Sequence, residues 1–271
     1  MKTRSASLWA AVALLCCVTG AWAQSGDAPP AQSKGIDSAL LAKAKAGDAT
    51  AEFEVGRNYA NGEGVPQDFA KAAVWYRLSA ERGNADAQNE LALLYGDGKG
   101  VPQNYAEMTA WFHKAAEQGN AKAQAALGMI YESGMNVQQD YQQAATWYRK
   151  AADQGNADAQ FSLAGLYLKG EGVPQDVAEC TRWTRKAAEQ GNTQAQEALG
   201  LSYAVGKGVP VDFIEAYFWL DLAAALGSDA QDQQQWVKSR DDIAAHLTSA
   251  QLAQVQERAR NWFAAHQPNA R

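Results

Sequence analysis

The sequence predicts an all-α protein, a solenoid of about five 36-residue helix-turn-helix repeats with capping helices at both ends. Glycine recurs at a constant interval of 36 residues, at Gly47, Gly83, Gly119, Gly155, Gly191 and Gly227. Inside each interval, apolar residues recur twice with the spacing of one helix face, and a glycine-rich turn separates the two segments. A period of this length is typical of solenoids, in which each repeat buries its apolar face against its neighbours.

Residues 1–23 have the features of a secretory signal peptide. Lys2 and Arg4 precede an apolar run over residues 8–18, and Ala21-Trp22-Ala23 supplies an A-x-A cleavage site. The apolar run is shorter than the about 20 residues that a membrane-spanning helix needs. We therefore expect cleavage after Ala23 and export to the periplasm or, alternatively, secretion, with no membrane-spanning segment.

The charge and the cysteine count narrow the class of protein further. Removal of the signal peptide would take away two positive charges and change the formal net charge from −6 to −8. This acidic balance disfavours nucleic acid as a partner, because nucleic-acid affinity depends on clustered Lys and Arg. Cys180 would remain as the only cysteine, at a position that Ala or Met fills in the other repeats, which indicates a buried, unreactive thiol. The lack of a disulfide framework and of any N-x-S/T sequon favours a bacterial envelope protein.

Two short segments separate the signal peptide from the first repeat. Residues 24–35 contain Ser, Gly and Pro but few apolar residues, which predicts a flexible leader. Residues 36–46 match only the second helix of a repeat, with Gly47 at the closing position. We interpret this half-repeat as the N-terminal cap of the stack, which would cover the apolar side of the first repeat.

Five repeats follow, over residues 47–82, 83–118, 119–154, 155–190 and 191–226. Each repeat has Asn or Asp where an N-cap is needed, such as Asn84 before its first helix and Asn104 before its second helix. The turn between the helices carries G-x-G-V-P, in which glycine permits positive φ and proline keeps the preceding residue out of the helical region. The third repeat departs from this pattern with Asn136 and Gln138, and we expect its turn to be the softest.

After Gly227 the repeat pattern stops, and residues 227–271 predict capping helices and a tail. A first, polar helix is followed by Thr248 and Gln251, whose spacing fits a capping box at the start of a last helix. Apolar residues of that last helix fall on one face and would cover the fifth repeat: Leu252, Val255, Ala259, Trp262 and Phe263. Pro268 is expected to end the ordered region.

Four motifs recur in the repeats: G-N-A-x-A-Q, L-[GA]-x-x-Y, G-x-G-V-P-Q-D and A-x-x-W-[YF]-x-K-A-A-E-Q-G. By these motifs the chain resembles the Sel-one-like repeat proteins, which are relatives of the tetratricopeptide repeat proteins with a slightly longer repeat. The resemblance covers about residues 47–226. It implies a right-handed α/α superhelix that holds other proteins, and it implies no particular partner.

The first helix of each repeat has one side that recurs and one side that changes. Recurring residues such as Gln88, Leu91 and Tyr95 fall on one side of a helical wheel. In related solenoids the first helices line the concave surface, so the changeable side would form a protein-binding groove. The predicted groove residues are Phe53, Arg57, Asn89, Leu93, Met129, Phe161 and Leu201. Alternatively, Leu93, Met129 and Leu201 fill gaps between neighbouring first helices.

No set of residues in the sequence predicts catalysis, metal binding or a cofactor. His113 occupies a position that Arg or Asp fills in other repeats, which indicates a solvated side chain. The glycine-rich turns lack the preceding strand and the Lys-Ser/Thr pair of a phosphate-binding loop. Tryptophan recurs every 36 residues with small residues one turn away, which indicates core packing. These tryptophans are Trp75, Trp111, Trp147, Trp183 and Trp219.

These observations predict a non-enzymatic periplasmic scaffold that binds a protein or peptide in its groove, in the service of an envelope or signalling complex. Two alternatives stay open. One is a cell-wall enzyme that binds or hydrolyses β-lactams, which the resemblance implies only through a cysteine-rich branch of the family whose cysteines this chain lacks. The other is a purely structural spacer in an envelope assembly.

Overall fold

The structure, a computed structural model, describes residues 35–227 and 230–266. These residues form thirteen α-helices and no β-strand, which confirms the all-α fold class. The predicted signal peptide, the predicted leader except Gly35, and Pro268 lie outside the described residues.

Ten of the described helices alternate as the first and second helices of the five repeats. They are α2 (Ala49–Asn61), α3 (Phe69–Glu81), α4 (Ala85–Asp97), α5 (Tyr105–Glu117), α6 (Ala121–Ser133), α7 (Tyr141–Asp153), α8 (Ala157–Lys169), α9 (Val177–Glu189), α10 (Thr193–Val205) and α11 (Phe213–Leu226). A short helix, α1 (Ser38–Lys45), precedes them, and α12 (Ala230–Ala244) and α13 (Ser249–His266) follow. The helix-turn-helix repeat predicted from the 36-residue period is therefore present five times.

The helices begin at the predicted cap residues. Asn84 Oδ1 accepts a hydrogen bond from the backbone N–H of Ala87 at 2.9 Å, which satisfies a donor that has no partner within the helix. Asn104 Oδ1 does the same for the backbone N–H of Glu107 at 3.1 Å. Gly119 closes a second helix with a φ of 91°, in the left-handed region that glycine tolerates. Local chemistry read from the sequence thus explains where the repeat helices start and stop.

Two features favour glycine at the second glycine position of the inter-helix turn. Gly172 has a φ of 70°, and a Cβ at this residue would overlap the backbone carbonyl of Tyr141, at the start of the second helix of the preceding repeat. Gly100 has the same relation to Phe69. In the third repeat Asn136 takes this place with a φ of 54°, which confirms that asparagine adopts the left-handed conformation there.

The chain divides into two compact units, one ending at Trp111 and one beginning at Phe112. In the N-terminal unit α1 packs against α2, and consecutive helices pack together as far as α4. Ala44 of α1 and Val55 of α2 are buried in a cluster that the partly buried Trp75 also contacts. The predicted capping half-repeat therefore lies on the first repeat, although its contribution to stability stays a prediction.

The C-terminal unit contains two buried clusters. Trp183 lies in the first cluster with Leu163 and Tyr148, and Trp219 lies in the second with Leu199. Trp147 and Trp111 are each only 8% exposed. The prediction that the recurring tryptophans form core is therefore confirmed for four of the five, while Trp75 is partly buried.

The end of the chain departs from the repeat geometry. Both α12 and α13 pack against α11, but they scarcely contact each other, whereas the two helices of a repeat pack along their length. Thr248 and Gln251 form the predicted capping box: the Gln251 backbone N–H donates to Thr248 Oγ1 at 3.3 Å, and Gln251 Oε1 accepts from the Thr248 backbone N–H at 2.9 Å. Val255 and Ala259 of α13 are buried in the second cluster.

Candidate protein-binding face

A buried amide fixes one side of the first helix in four of the five repeats. Gln124 Nε2 donates to the carbonyl oxygen of Ala116 at 3.0 Å. The acceptor lies in the last turn of the preceding second helix, where carbonyl groups have no partner within the helix. The same hydrogen bond recurs at Gln88, Gln160 and Gln196. This side of the first helix is therefore used for stacking, in agreement with the comparison of repeats in the sequence.

A second recurring contact joins one repeat to the next. Arg185 Nη2 donates to the hydroxyl of Tyr203 at 2.7 Å, and its guanidinium lies 5.5 Å from the centre of that ring. Equivalent bonds join Arg77 to Tyr95 and Arg149 to Tyr167.

His113 occupies this same joining position. Its Nε2 lies 3.2 Å from the hydroxyl of Tyr131, and its ring packs edge-on against Trp147 with centroids 5.8 Å apart. The expectation of a solvated His113 was wrong. The equivalent positions carry Arg because the side chain bonds to a tyrosine of the next repeat. In the sequence, a polar residue with this role looks the same as one that is exposed to solvent.

The changeable side of the first helices separates into two positions with different surroundings. We call the position of Phe53, Asn89, Ala125, Phe161 and Glu197 the packed position. We call the position of Arg57, Leu93, Met129, Gly165 and Leu201 the open position. The two positions are four residues apart, so they lie on neighbouring turns of the same helix.

Residues at the packed position contact other side chains of their own unit. The ring of Phe53 lies 5.7 Å from the ring of Tyr76. Asn89 is 3% exposed and Ala125 is 8% exposed. Phe161 packs against the second buried cluster of the C-terminal unit. Asn89 and Ala125 therefore offer a partner little free surface, whereas Phe53 and Phe161 are partly buried.

The open position has more room. A Cβ on Gly165 would meet no heavy atom within 4 Å. Leu201 is 41% exposed and the Arg57 side chain is 49% exposed. Leu93 is half-buried, and Met129 packs partly against a buried cluster, as the gap-filling alternative expects. Protein binding by the predicted groove residues stays a prediction.

Two titratable groups of the C-terminal unit, Tyr148 and Cys180, have pKa values that burial shifts. Burial, with a smaller contribution from the nearby Glu132, raises the pKa of Tyr148, whose hydroxyl donates to Glu132 Oε2 at 2.7 Å. Burial also raises the pKa of the half-buried Cys180, so its thiol stays protonated and is a poor nucleophile at neutral pH. No three His, Cys, Asp or Glu side chains within residues 35–227 and 230–266 cluster as a metal-binding set.

Comparison with protein-family models matches Sel1 repeats to residues 49–84, 85–120, 121–156, 157–192 and 193–228. The chain belongs to the Sel1 repeat family. The family repeats start at the first residue of each first helix, two residues after the glycine that marks the period in the sequence. Sel1 repeat proteins generally mediate protein–protein interaction.

Two solved bacterial structures resemble this Sel1 repeat protein. A Sel1 repeat protein from Oxalobacter formigenes is 30% identical with a TM-score of 0.66, over 74% of this chain and 90% of the other. A protective antigen of uropathogenic Escherichia coli with an SLR fold is 29% identical with a TM-score of 0.56, over 85% of this chain but only 56% of its own. Comparison with functionally curated proteins gives no match. Throughout the described part of the chain, helices are too short or too polar to cross a membrane.

The fifth Sel1 repeat exposes apolar side chains that the sequence analysis did not select. Val205 is 71% exposed and Val211 is 54% exposed. Val205 follows Leu201 by one helical turn, and a Cβ on Gly206, the next residue, would meet Val211 Cγ2 at 2.9 Å. Leu201 and Val205 thus lie on one side of α10, and Val211 lies beside the residue that follows Val205; we call these three side chains the fifth-repeat patch.

A comparison of repeats could have found the fifth-repeat patch. At the position of Val205 the other repeats carry Asn61, Asp97, Ser133 and Lys169, and at the position of Val211 they all carry Gln. One such residue, Gln175, donates from Nε2 to the carbonyl oxygen of Leu168 at 2.8 Å. Valine lacks this donor, so packing within the repeat does not explain the change to Val211.

Proposed function

We propose that this Sel1 repeat protein is a non-enzymatic periplasmic adaptor that binds a protein or peptide partner through the exposed side of its first helices, as part of an envelope or signalling complex. Family membership supports protein binding, because Sel1 repeat proteins generally mediate protein–protein interaction. The basic start, apolar run and A-x-A site of residues 1–23 support export.

The fifth-repeat patch is the observation that carries the binding role. Its three apolar side chains are exposed, and two of them replace residues that are polar in every other repeat. A cluster of exposed apolar side chains on an otherwise polar surface is typical of an interaction site. Gly165, at the open position of the preceding repeat, leaves further room on the side of α8 that carries this position. Interface energy usually concentrates in a few residues near the centre of an interface.

A site-specific photo-cross-linker tests this proposal in cells. Incorporation at Val205 should give a discrete adduct with one partner protein, identified by mass spectrometry. Val74, which is 60% exposed on the second helix α3, is the matched control and should give no such adduct. Equal yields of the same adduct from both positions would contradict a binding role for the patch.

Substitution of the patch provides the quantitative test. The double variant Leu201→Ser/Val205→Ser should weaken capture of the cross-linked partner by about 1–2 kcal/mol for each anchor. Its melting temperature should change little, because both side chains are already more than 40% exposed. A large fall in melting temperature with unchanged partner capture would assign these residues to packing.

Export is tested independently of binding. We expect the mature N-terminus to be Gln24, because cleavage should follow the Ala21-Trp22-Ala23 site. N-terminal sequencing of protein from the envelope fraction measures this directly. Retention of Met1 on cytoplasmic protein would contradict the periplasmic location and leave the binding experiment unaffected.

A further inference from the structure

A cleft of about 430 Å³ opens between α11, α12 and α13 of the C-terminal unit. It exists because α12 and α13 both pack on α11 but scarcely contact each other, which leaves a wedge between them. Its volume falls in the range of about 300–1,000 Å³ that is typical of small-ligand sites. The cleft uses none of the residues of the fifth-repeat patch.

Apolar side chains form part of the cleft wall, beside charged and amide side chains. Leu252, Ala259 and Phe263 lie on one face of α13 and line one wall, and Ala244 of α12 lines the other. Tyr217 of α11 also lines the cleft; it is 4% exposed, and its hydroxyl accepts a hydrogen bond from Gln256 Nε2 at 3.2 Å. An apolar group entering the cleft would therefore contact hydrocarbon and aromatic surface.

The two arginines that line the cleft have different environments. Arg240 is neutralised, because Nη1 lies 3.1 Å from Asp221 Oδ1 and Nη2 lies 2.7 Å from Asp241 Oδ1. Arg260 makes no ion pair or hydrogen bond with any described residue. Among the described residues, the cleft thus presents one guanidinium without a partner beside the apolar side chains of α13, while its two carboxylates are already paired with a cation.

We propose that this cleft binds the free carboxyl terminus of a peptide that ends in an apolar residue. The guanidinium of Arg260 would pair with the terminal carboxylate, because its planar fork matches the two oxygens of a carboxylate. The terminal side chain would contact Phe263 and Leu252. Among ligands that carry a carboxylate next to an apolar group, we favour a peptide because protein binding is the general role of the family. The cleft would recognise the C-terminus of a peptide. This binding would be additional to the contacts that the first helices make in the proposed adaptor function.

Calorimetry with two matched probes tests the proposal on the purified mature protein. N-acetyl-leucyl-leucine with a free carboxylate should bind with measurable affinity, and its C-terminal amide should bind at least about tenfold more weakly. Arg260→Gln should also reduce affinity for the acid at least about tenfold, since it removes the charge and the fork. Lys238→Gln is the control: it removes the same charge from an exposed position of α12 outside the cleft, and binding should be unchanged.

Every other result would overturn the assignment. Equal affinity for the acid and the amide would show that the carboxylate is not recognised, and absence of binding at millimolar acid would show that the cleft is not a site. Tighter binding of octanoate than of the peptide would assign the cleft to a fatty carboxylate instead. Arg260 is exposed and has no partner among residues 35–227 and 230–266, so Arg260→Gln should keep the wild-type melting temperature, and a negative result would leave the adaptor proposal intact.

Discussion

At the scale of single residues, a hydrogen-bonded pair that joins the first helix of a repeat to the end of its second helix, with a buried partner on the first helix, changes its chemistry along the chain. Gln154 Nε2 donates to Gln124 Oε1 at 2.7 Å. In the first repeat the same two positions carry Arg82 and Glu52, and Arg82 Nε donates to Glu52 Oε2 at 3.1 Å. The Glu52 side chain is 2% exposed. An ion pair therefore stands where later repeats have a neutral hydrogen-bonded pair.

Removing one partner of this ion pair should destabilise the fold. We expect Arg82→Ala to lower the free energy of unfolding by about 1–3 kcal/mol, because it leaves a buried carboxylate without its donor. The double variant Arg82→Gln/Glu52→Gln should recover most of the loss, since it recreates the pair formed by Gln154 and Gln124. Urea denaturation of the three proteins measures the difference. An equal loss in both variants would show that the charges themselves stabilise the repeat.

Gln196 is one of three residues in the described part of the repeats with a buried side-chain atom that has no hydrogen-bond partner. It is fully buried, and its Nε2 donates to the Ala188 carbonyl oxygen at 3.1 Å, but its Oε1 has no hydrogen-bond partner among the described residues. Thirty residues later, where earlier repeats carry Gln or Arg, the chain has Leu226. The fifth repeat therefore lacks the donor that its equivalents use.

Supplying that donor should stabilise the protein. We expect Leu226→Gln to raise the free energy of unfolding by about 1 kcal/mol, because a buried acceptor gains a partner. Leu226→Ala is the control, since it removes the same 41% exposed side chain without adding a donor. Thermal unfolding distinguishes the two variants. No difference between them would mean that Gln at 226 does not reach Gln196.

At the scale of helices, the structure explains why glycine stands inside first helices. A Cβ on Gly128 would overlap the ring of Tyr148 on the second helix of the same repeat. In the fourth repeat, Ala164 replaces the glycine and Thr184 replaces the tyrosine, so a larger residue on the first helix faces a smaller one on the second. Helix propensity alone would favour alanine at every such position, so close packing of the two helices overrides it. The glycines of this kind are Gly56, Gly128 and Gly200.

Two glycine-to-alanine changes should therefore have opposite signs. Gly128→Ala should lower the free energy of unfolding by about 1–3 kcal/mol, because the added methyl group overpacks the interface with Tyr148. Gly165→Ala, inside α8 with no heavy atom near its Cβ, should raise it by about 0.5–1 kcal/mol by lowering the entropy of the unfolded chain. Calorimetric melting of both variants measures the effect. Stabilisation by both would refute the close contact at Gly128.

At the scale of the whole molecule, the N-terminal unit begins with a helix that covers the first repeat. Ala44 of α1 is 2% exposed and lies in one cluster with Val55, which is fully buried. Loss of α1 would expose this apolar surface to water. A repeat stack depends on such terminal caps, because each repeat is stabilised by its neighbours.

Two deletions separate the cap from the leader. Removal of residues 37–46 should lower the free energy of unfolding by more than about 1 kcal/mol, since it uncovers the first repeat. Removal of residues 24–34 should have little effect and serves as the control; it keeps Gly35, whose N–H donates to the Gly64 carbonyl oxygen at 2.9 Å. Circular dichroism melts compare the two. Equal effects would show that residues 36–46 do not act as a cap.

The sequence by itself determined the helices, the repeat, the family and most of the core. These features depend on local chemistry and on a constant period: Asn84 caps the helix that follows it, Gly119 closes the helix that precedes Gly119, and the tryptophan is buried in four of the five repeats. Because the repeat sequence recurs five times, the residues that are kept for stacking between repeats can be recognised without coordinates. The sequence did not determine which of the predicted groove residues are exposed. A residue that changes between repeats is either exposed to solvent or packed against a neighbour that also changes.

Only the tertiary structure decided between those two cases. Asn89 and Phe161 change between repeats yet are packed, while Leu201 changes and is exposed. His113 resembles a solvated residue in the sequence and instead contacts Tyr131 of the next repeat. The physical reason is that these contacts join side chains on different helices, so the stacking of one helix on another, which no local pattern encodes, selects the neighbour of each residue. The cleft beside Arg260 has the same origin, because it forms where α12 and α13 stop following the geometry of the repeats.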